Sequence, residues 1–393
     1  MIDNILDTVA PEEIDALACA LVSIEGHEET EEREIPVAAR LKEYLDEHDV
    51  PVELVPIADG RPNVMARIEG TGGGPVLLLN GHTDTVPPYA MERPFDGRVE
   101  GDRIYGRGSV DMKGALSSMA HVLVALRRSG AELAGDVVLA ATIGEEKASE
   151  GARRLRDDAF PADYVIVGEG TGLRVGVAHK GALRGEAVFE GRAVHSSVPE
   201  QGVNAIYKAS TWIERIKQDY IPSLAEKTHP LLGSPTISLG VIEGGTRMSS
   251  VPDRCAIRFD RRMIPGETAD ELIAELQAVI DALAADDGDM KGRVDELPEH
   301  REGPHPPLQS DPAGPLVKAL LAAREAELGE RSEPIGLMYW TDAALFAQIP
   351  GTQAVVCGPG DIAQAHTNDE WISRAQLHAA YRMYVRVAAG LCT

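Results

Sequence analysis

The sequence predicts an α/β domain interrupted by a smaller α+β module, and three observations carry that prediction. Four apolar runs of strand length, at 75–79, 136–142, 164–167 and 353–356, lack the polar alternation of a half-exposed strand. Such continuous runs belong to strands covered on both faces, as in parallel sheets. Segments of helical periodicity alternate with these runs in the first part of the chain, which implies a largely parallel sheet. After Glu169 the pattern changes to strands and helices of a different order, then returns to the first type near the C-terminus.

Residues 11–24 and 31–48 read as helices. In the second, Ile35, Ala38, Ala39, Leu41 and Leu45 recur near helical spacing among charged neighbours. Stretches 52–55 and 63–68 read as strands. Thr71-Gly72-Gly73-Gly74 reads as a turn, because it lacks the Lys-Ser/Thr ending of a phosphate loop. Residues 114–128 form a helix with Leu116, Met119, Leu123 and Leu126 on one face, and 149–157 form another. In the module, 182–189, 236–241 and 255–262 read as strands, and 204–216 and 268–283 as helices. The proline- and charge-rich tract 297–307 reads as a return linker, and a helix at 313–327 rejoins the first domain. The expected division is 1–179 and 297–393 for the first domain and 180–296 for the insertion.

The chain carries 63 acidic against 38 basic residues, a net charge of −25. That balance argues against nucleic acid and against an anionic membrane surface as partners, since both recruit clustered basic residues. No apolar run approaches the roughly 18–20 residues that span a bilayer. The four cysteines form no C-x-x-C pair, so no disulfide framework or zinc ribbon is indicated and a reducing cytoplasm is expected. Met1-Ile2-Asp3-Asn4 shows no basic, then apolar, leader.

The strand-like runs end in chemistry. His82 and Asp84 follow the first, Glu145 and Glu146 the second, Glu169 the third and His366 the fourth. Ligands of open α/β sheets bind beyond the carboxyl ends of the strands. Asp111 joins the set from a glycine-rich loop, 106–114, that enters a helix. Imidazole and carboxylate together suit zinc, cobalt or manganese. Two such ions bridged by a carboxylate make a hydrolytic centre. In the doublet Glu145-Glu146, neighbouring side chains of an extended segment point in different directions, so one can hold metal while the other acts as general base. Each residue has an ordinary alternative: a hydrogen-bonded His-Asp pair, a solvated Glu pair, a loop acid, or His366 as a cap or partner of Asp369. The joint pattern outweighs the separate alternatives. His27, His48, His121, His229, His300, His305 and His378 lack this context and read as surface or packing residues.

These residues resemble the dinuclear zinc amidohydrolase and peptidase family, whose members include acetylornithine deacetylases, succinyl-diaminopimelate desuccinylases, aminoacylases and glutamate carboxypeptidases. The resemblance runs from about Val76 to Trp371, through 81–87, 106–114, 144–146, 167–169, 191–206 and 365–370. It implies a zinc-peptidase-like three-layer catalytic domain with an inserted α+β lid and dimerisation domain. It implies that Asp111 bridges two metal ions and is joined to Met112 by a cis peptide bond. His82 and Glu169 then complete one metal site, and Glu146 and His366 the other. Asp84 orients His82, and Glu145 is the general base and acid. His195 in the insertion stabilises the developing oxyanion, often in the partner subunit's site. Arg262 binds the substrate carboxylate, with a surface strand arginine as the plain alternative. Asn204 supports the lid segment or caps a helix. Thr341 lies in a tract, 339–343, that counts with the substrate contacts.

Two details refine the resemblance. The tract 247–253 carries Ser249 where family members often have an asparagine. The run 357–366 most resembles acetylornithine deacetylases. The implied reaction is hydrolysis of an N-acyl amino acid, N-acetylornithine or a similar N-acetyl amino acid, with arginine biosynthesis as its setting. The alternatives are a desuccinylase, a general aminoacylase, a dipeptidase or carboxypeptidase, and, more remotely, a metal-stabilised binding protein without catalysis. A homodimer through the insertion is implied as well.

Overall fold

The computed structural model describes residues 2–298 and 303–393. His300 and part of the expected linker lie outside the described residues. The chain divides into two compact units. One comprises Met1–Val177, Gln309–Gly336 and Thr341–Thr393; the other Ala178–Leu308 and Leu337–Trp340. Tract 297–308 and the short segment 337–340 thus group with the insertion, where the sequence reading gave them to the first domain.

The first unit is built on a nine-stranded sheet. Its centre is Val137–Thr142, Leu77–His82, Tyr164–Gly170 and Gln353–Gly358, in that spatial order and mutually parallel. The remaining pairings described on either side are antiparallel, among them Arg61–Ile68 against Val137–Thr142 and Val52–Ala58 against Arg61–Ile68. The sheet is therefore mixed rather than largely parallel. Every residue of strands Leu77–His82 and Val137–Thr142 is buried, as their unbroken apolar runs demand.

Alternation along the strands sends residues to opposite faces. Leu77, Leu79, Val137, Leu139, Ile166 and Val355 enter the main apolar cluster, which is roofed by helices Pro11–Val22, Ile35–Glu47, Gly114–Ser129 and Arg374–Leu391. Leu78, Val138 and Val165 are equally buried and lie outside that cluster, on the face met by the short helices Glu150–Asp157 and Ala343–Phe346. Helix Gly114–Ser129 is buried from Gly114 to Leu126, because helices Pro11–Val22 and Arg374–Leu391 pack against it. The C-terminal helix has no assignment in the sequence reading, although Leu377, Tyr381, Tyr384 and Ala388 recur at helical spacing and are buried. Among the described residues no helix is long and apolar enough to cross a membrane.

The second unit holds a four-stranded antiparallel sheet in the order Thr236–Gly244, Arg254–Met263, Gly181–Glu190, Lys291–Glu296. Helices Ala205–Arg215 and Ala269–Asp286 contribute to one apolar cluster with it, centred on Phe189, Trp212, Ile257, Phe259 and Leu276. Thr268 and Glu271 form a capping box that starts the longer helix. Thr236–Gly244 is an edge strand, largely exposed.

Candidate metal centre

The site is assembled at the C-terminal ends of the parallel strands of the first unit. His82 closes strand Leu77–His82 and Glu169 lies near the end of Tyr164–Gly170. Asp111 comes from the loop before helix Gly114–Ser129, where the chain turns through Gly108 at φ 82°. A residue with a β-carbon rarely adopts that left-handed region. The Asp111–Met112 peptide is cis.

Asp111 stands between the two imidazoles. Its Oδ1 lies 2.9 Å from His82 Nε2 and its Oδ2 3.2 Å from His366 Nε2. Glu169 Oε1 is 3.3 Å from His82 Nε2, and Glu146 Oε2 is 3.2 Å from His366 Nε2. Candidate ligand atoms of His82, Glu145 and Glu169 lie within 4.8 Å of one another, as do those of His82, Asp111 and Glu146. His82, Asp111 and Glu169 are buried, whereas His366 sits at the open side with its side chain 48% exposed.

The electrostatics show what this set needs. Burial drives the Glu145 carboxyl well above its ordinary range, with Glu169, Asp342 and Glu146 adding to the push against His82. Burial, reinforced by Asp111, raises Glu169 to about 7. Hydrogen bonds to Asp111 and Glu146 hold His366 up at about 10. Burial disfavours a charged His82, but Asp111, Asp84 and Glu169 outweigh it and keep the imidazole protonated well above its usual range. Four clustered carboxylates around two imidazoles are a site short of positive charge. Divalent cations would supply it, and the donor types fit them.

Asp84 does more than orient His82. The ring's Nδ1 donates to the Asp84 backbone carbonyl at 2.9 Å, and the carboxylate Oδ1 is 3.5 Å away. The carboxylate accepts the backbone N–H groups of Gly144, Glu145 and Glu146 at 2.9, 3.2 and 3.0 Å. It thereby moors the loop that carries both glutamates. That loop is not extended, as the sequence reading has it. The amides of Lys147, Ala148 and Ser149 all turn back to the Gly144 carbonyl, and Gly144 takes φ 77°. The turn still separates the two side chains, Glu145 toward His82 and Glu169, Glu146 toward Asp111 and His366.

Glu370 escapes the sequence reasoning. Its fully buried carboxylate accepts from Arg107 Nη1 at 2.5 Å and from the backbone N–H groups of Gly108, Val110 and Asp111 at 3.1, 2.9 and 3.2 Å. Arg107 also reaches the carbonyls of Pro87 and Thr367. The pair therefore fixes the loop that presents Asp111. The sequence holds one signal for it, a carboxylate four residues after His366 that runs directly into the apolar Trp371-Ile372.

Of the other expected site residues, three belong to the second unit and Thr341 to the first. His195 is exposed in the second unit, its Nδ1 2.7 Å from Ser197 Oγ. Asn204 Oδ1 caps helix Ala205–Arg215 by accepting from Ile206 and Tyr207, the helix-cap alternative. Arg262 faces Asp260, with Nε 2.8 Å from Oδ1 and Nη2 3.3 Å from Oδ2. Thr341 is fully buried and its hydroxyl oxygen accepts from the Ala343 N–H at 3.3 Å.

Fold and cluster together define a metal-binding hydrolase of amide bonds. The model of Peptidase family M20/M25/M40 matches residues 78–390, and the chain belongs to that family. It is similar to a probable succinyl-diaminopimelate desuccinylase of Staphylococcus aureus, 30% identical over 373 residues, covering 87% of this chain and 89% of that protein. It is also similar to an acetylornithine deacetylase of Vibrio atlanticus, 31% identical over 343 residues and 86% of each chain. Solved structures share the fold. An aminopeptidase PepT from Bacillus cereus superposes with TM-score 0.79 at 20% identity, covering 98% of this chain and 100% of that one. A metallo-carboxypeptidase from Sulfolobus solfataricus superposes with TM-score 0.76 at 21% identity, covering 95% and 98%.

Proposed function

We propose that this enzyme hydrolyses the amide bond of an N-acyl amino acid, with N-acetylornithine or a similar N-acetyl amino acid as substrate. The observation that carries the reading is Asp111 poised between His82 and His366 with Glu145 alongside. His82, Asp111, Glu146, Glu169 and His366 would hold two divalent ions, zinc first and cobalt or manganese as alternatives. When bound, such ions polarise the scissile carbonyl and acidify water. Glu145 takes a proton from the attacking water as the new C–O bond forms. It returns that proton to the amine nitrogen as the C–N bond breaks. His195 remains the group for the developing oxyanion. Arg262 remains the group for the substrate carboxylate, which would take the place of Asp260. Asn204 and Thr341 remain with the substrate-binding set, Asn204 by holding the start of the helix that it caps.

A homodimer through the second unit fits its exposed edge strand and the outward Val241, Ile242 and Met248. A cytoplasmic setting, with a role in arginine biosynthesis, accords with four unpaired cysteines. The desuccinylase reading is favoured by the names of several relatives, the first of them at 30% identity.

The test is a substrate panel: N-acetylornithine, an N-succinyl diamino acid, other N-acyl amino acids and a dipeptide, each with zinc, cobalt and manganese. N-acetylornithine as the poorest member refutes the acetyl reading. Glu145→Ala is expected to keep metal binding and lower kcat by roughly 10²-fold or more. Near-normal turnover would remove Glu145 from the proton path.

A further inference from the structure

The turn that carries Glu145 and Glu146 is held at both ends. Asp84 takes the amides of Gly144, Glu145 and Glu146. At the other end the amides of Ala148 and Ser149 fold back on the Gly144 carbonyl at 3.0 and 2.6 Å. Beside that end lies Asp342, a residue only 1% exposed and part of the same first unit. Its backbone is fixed independently of the turn. Asp342 heads the short helix Ala343–Phe346, where its carbonyl accepts from the Leu345 and Phe346 amides at 2.9 and 3.3 Å. That helix packs against helix Glu150–Asp157 and strands Tyr164–Gly170 and Gln353–Gly358.

Three residues connect the Asp342 carboxylate with the turn. Thr142 ends the strand that enters the turn, and its Oγ1 lies 3.5 Å from Asp342 Oδ2. Ser149 is fully buried at φ 53°, a region that a residue with a β-carbon rarely adopts. Its hydroxyl is near enough to stabilise the Asp342 charge, although neither Ser149 Oγ nor Asp342 Oδ1 completes a hydrogen bond. Arg153 donates from Nε to the Ala148 carbonyl at 2.6 Å. Burial and the neighbouring Arg156 hold Arg153 below its ordinary pKa, and Asp342 is the strongest of the carboxylates opposing them. Asp342 is thus the main counter-charge of the arginine that holds Ala148.

A buried carboxylate with one open oxygen is costly. Burial pushes this one up to about 7, against the pull of Ser149, His82 and Arg153. Replacing buried ion pairs by apolar residues is often neutral or stabilising, so stability alone does not explain the group. Its position does. Oδ2 reaches the strand end before the turn, and the charge acts on the residues that close it. Glu145 stands between those two ends, and Asp342 is among the charges that act on its carboxyl.

We infer that Asp342 is a positioning residue of this enzyme: through Thr142, Ser149 and Arg153 it fixes the end of the 144–149 turn that Asp84 does not reach, and so sets where Glu145 stands. The inference rests on the reading of Glu145 as proton carrier and adds the group that holds it in place.

Two measurements test it. Asp342→Asn keeps the shape and removes the charge, and Arg153→Met removes the group through which that charge acts on Ala148. In metal-free protein, hydrogen exchange of peptides covering 143–149 is expected to rise about tenfold or more in each variant. Peptides covering 114–128 are expected to stay within about threefold. A change under about threefold in 143–149, or an equal rise in both regions, overturns the clamp. Two variants that do not fold would assign the pair to stability and overturn it as well.

The kinetic arm uses zinc-loaded enzyme and the substrate of the panel that turns over fastest. Asp342→Asn is expected to lower kcat about 10–100-fold with KM within about threefold. In a Glu145→Ala background the same substitution is expected to change kcat by less than about threefold, because the group it positions is already gone. Effects that multiply in the double variant would mean that Asp342 acts by another route, and would overturn the inference. If no member of the panel is cleaved, the proposed function fails while the exchange measurement still decides the clamp.

Discussion

Replacing Glu370 with glutamine tests whether the Asp111 loop is held by one buried carboxylate. The substitution keeps volume and removes charge. Glu370 Oε2 receives Arg107 and the Gly108 N–H, while Oε1 receives the Val110 and Asp111 N–H groups. Whichever oxygen becomes the amide nitrogen, two donors then face a donor. Hydrogen bonds to charged groups contribute about 1.5–3 kcal/mol each, so two lost bonds cost roughly 3–6 kcal/mol. Removing one partner of a buried ion pair leads to about 3–5 kcal/mol by a separate route. The two figures overlap and describe the same contacts, so they do not add. The effect concerns the loop, so local opening is the proper readout. Hydrogen exchange by mass spectrometry on peptides covering 106–113 should show protection reduced by about two to four orders of magnitude, at 1.36 kcal/mol per tenfold. Zinc affinity should fall with it. Exchange within about threefold of the parent would refute the reasoning and leave the loop held by its own backbone.

Three further outcomes follow from the same geometry. Asp84→Asn keeps one acceptor oxygen for the 144–146 amides and turns an NH₂ toward the remaining ones. Metal affinity or kcat/KM is expected to drop about 10–100-fold, and unchanged values would mean the turn holds itself. Metal loading should release protons, because His366, held at about 10 by Asp111 and Glu146, must deprotonate to bind. Apparent zinc affinity therefore rises with pH, and calorimetry in buffers of different ionisation enthalpy should count at least about one proton near pH 7; buffer-independent heats would contradict it. His121, fully buried, donates from Nδ1 to the Ser117 carbonyl and accepts from Tyr44 at Nε2, and burial holds it down at about 4. The unfolded chain takes a proton below about 6.5 that the folded chain refuses until about 4, so stability falls with acid across that window by about 3 kcal/mol. His121→Gln should flatten this part of the pH–stability curve, measured by denaturant titration, and an unaltered slope would exclude His121 as its source.

Much of the cluster is legible in the sequence because its side chains come from the ends of apolar strands. A run such as Val76–Leu79 has little freedom once both faces are covered, and the residue that follows it must lie at the sheet edge. His82 and Glu169 are found this way, and Glu145 and Glu146 nearly so. Glu370 is not found, because its role depends on a loop more than 250 residues away in sequence, and nothing local marks a carboxylate as an acceptor of remote amides. Asn204 shows the converse. Its tract resembles a family segment, but Asn at a helix start has a sufficient local use, and the structure shows that use. The antiparallel flanks of the sheet are missed for a related reason, since pairings such as Gly176–His179 against Gln353–Gly358 involve short strands without a periodic signature.

The opening of the chain's chemistry at His82 and Asp84 explains why the two residues sit two apart. Strand Leu77–His82 pairs in parallel with Val137–Thr142, with His82 opposite Thr142, so the segments leaving both strands run side by side. The Thr83 amide continues the ladder by donating to the Thr142 carbonyl at 2.9 Å. Asp84, one residue on, is then level with Gly144–Glu146 and collects their amides. His82 meanwhile faces Asp111 and Glu169 in the cluster. One strand end thus sets the His82 imidazole and the loop bearing Glu145 in a single register. A one-residue slip between these strands would displace both at once. The arrangement ties the position of Glu145 to that of His82 through three hydrogen bonds from the 144–146 amides to the Asp84 carboxylate, so Glu145 is expected to remain placed in metal-free protein.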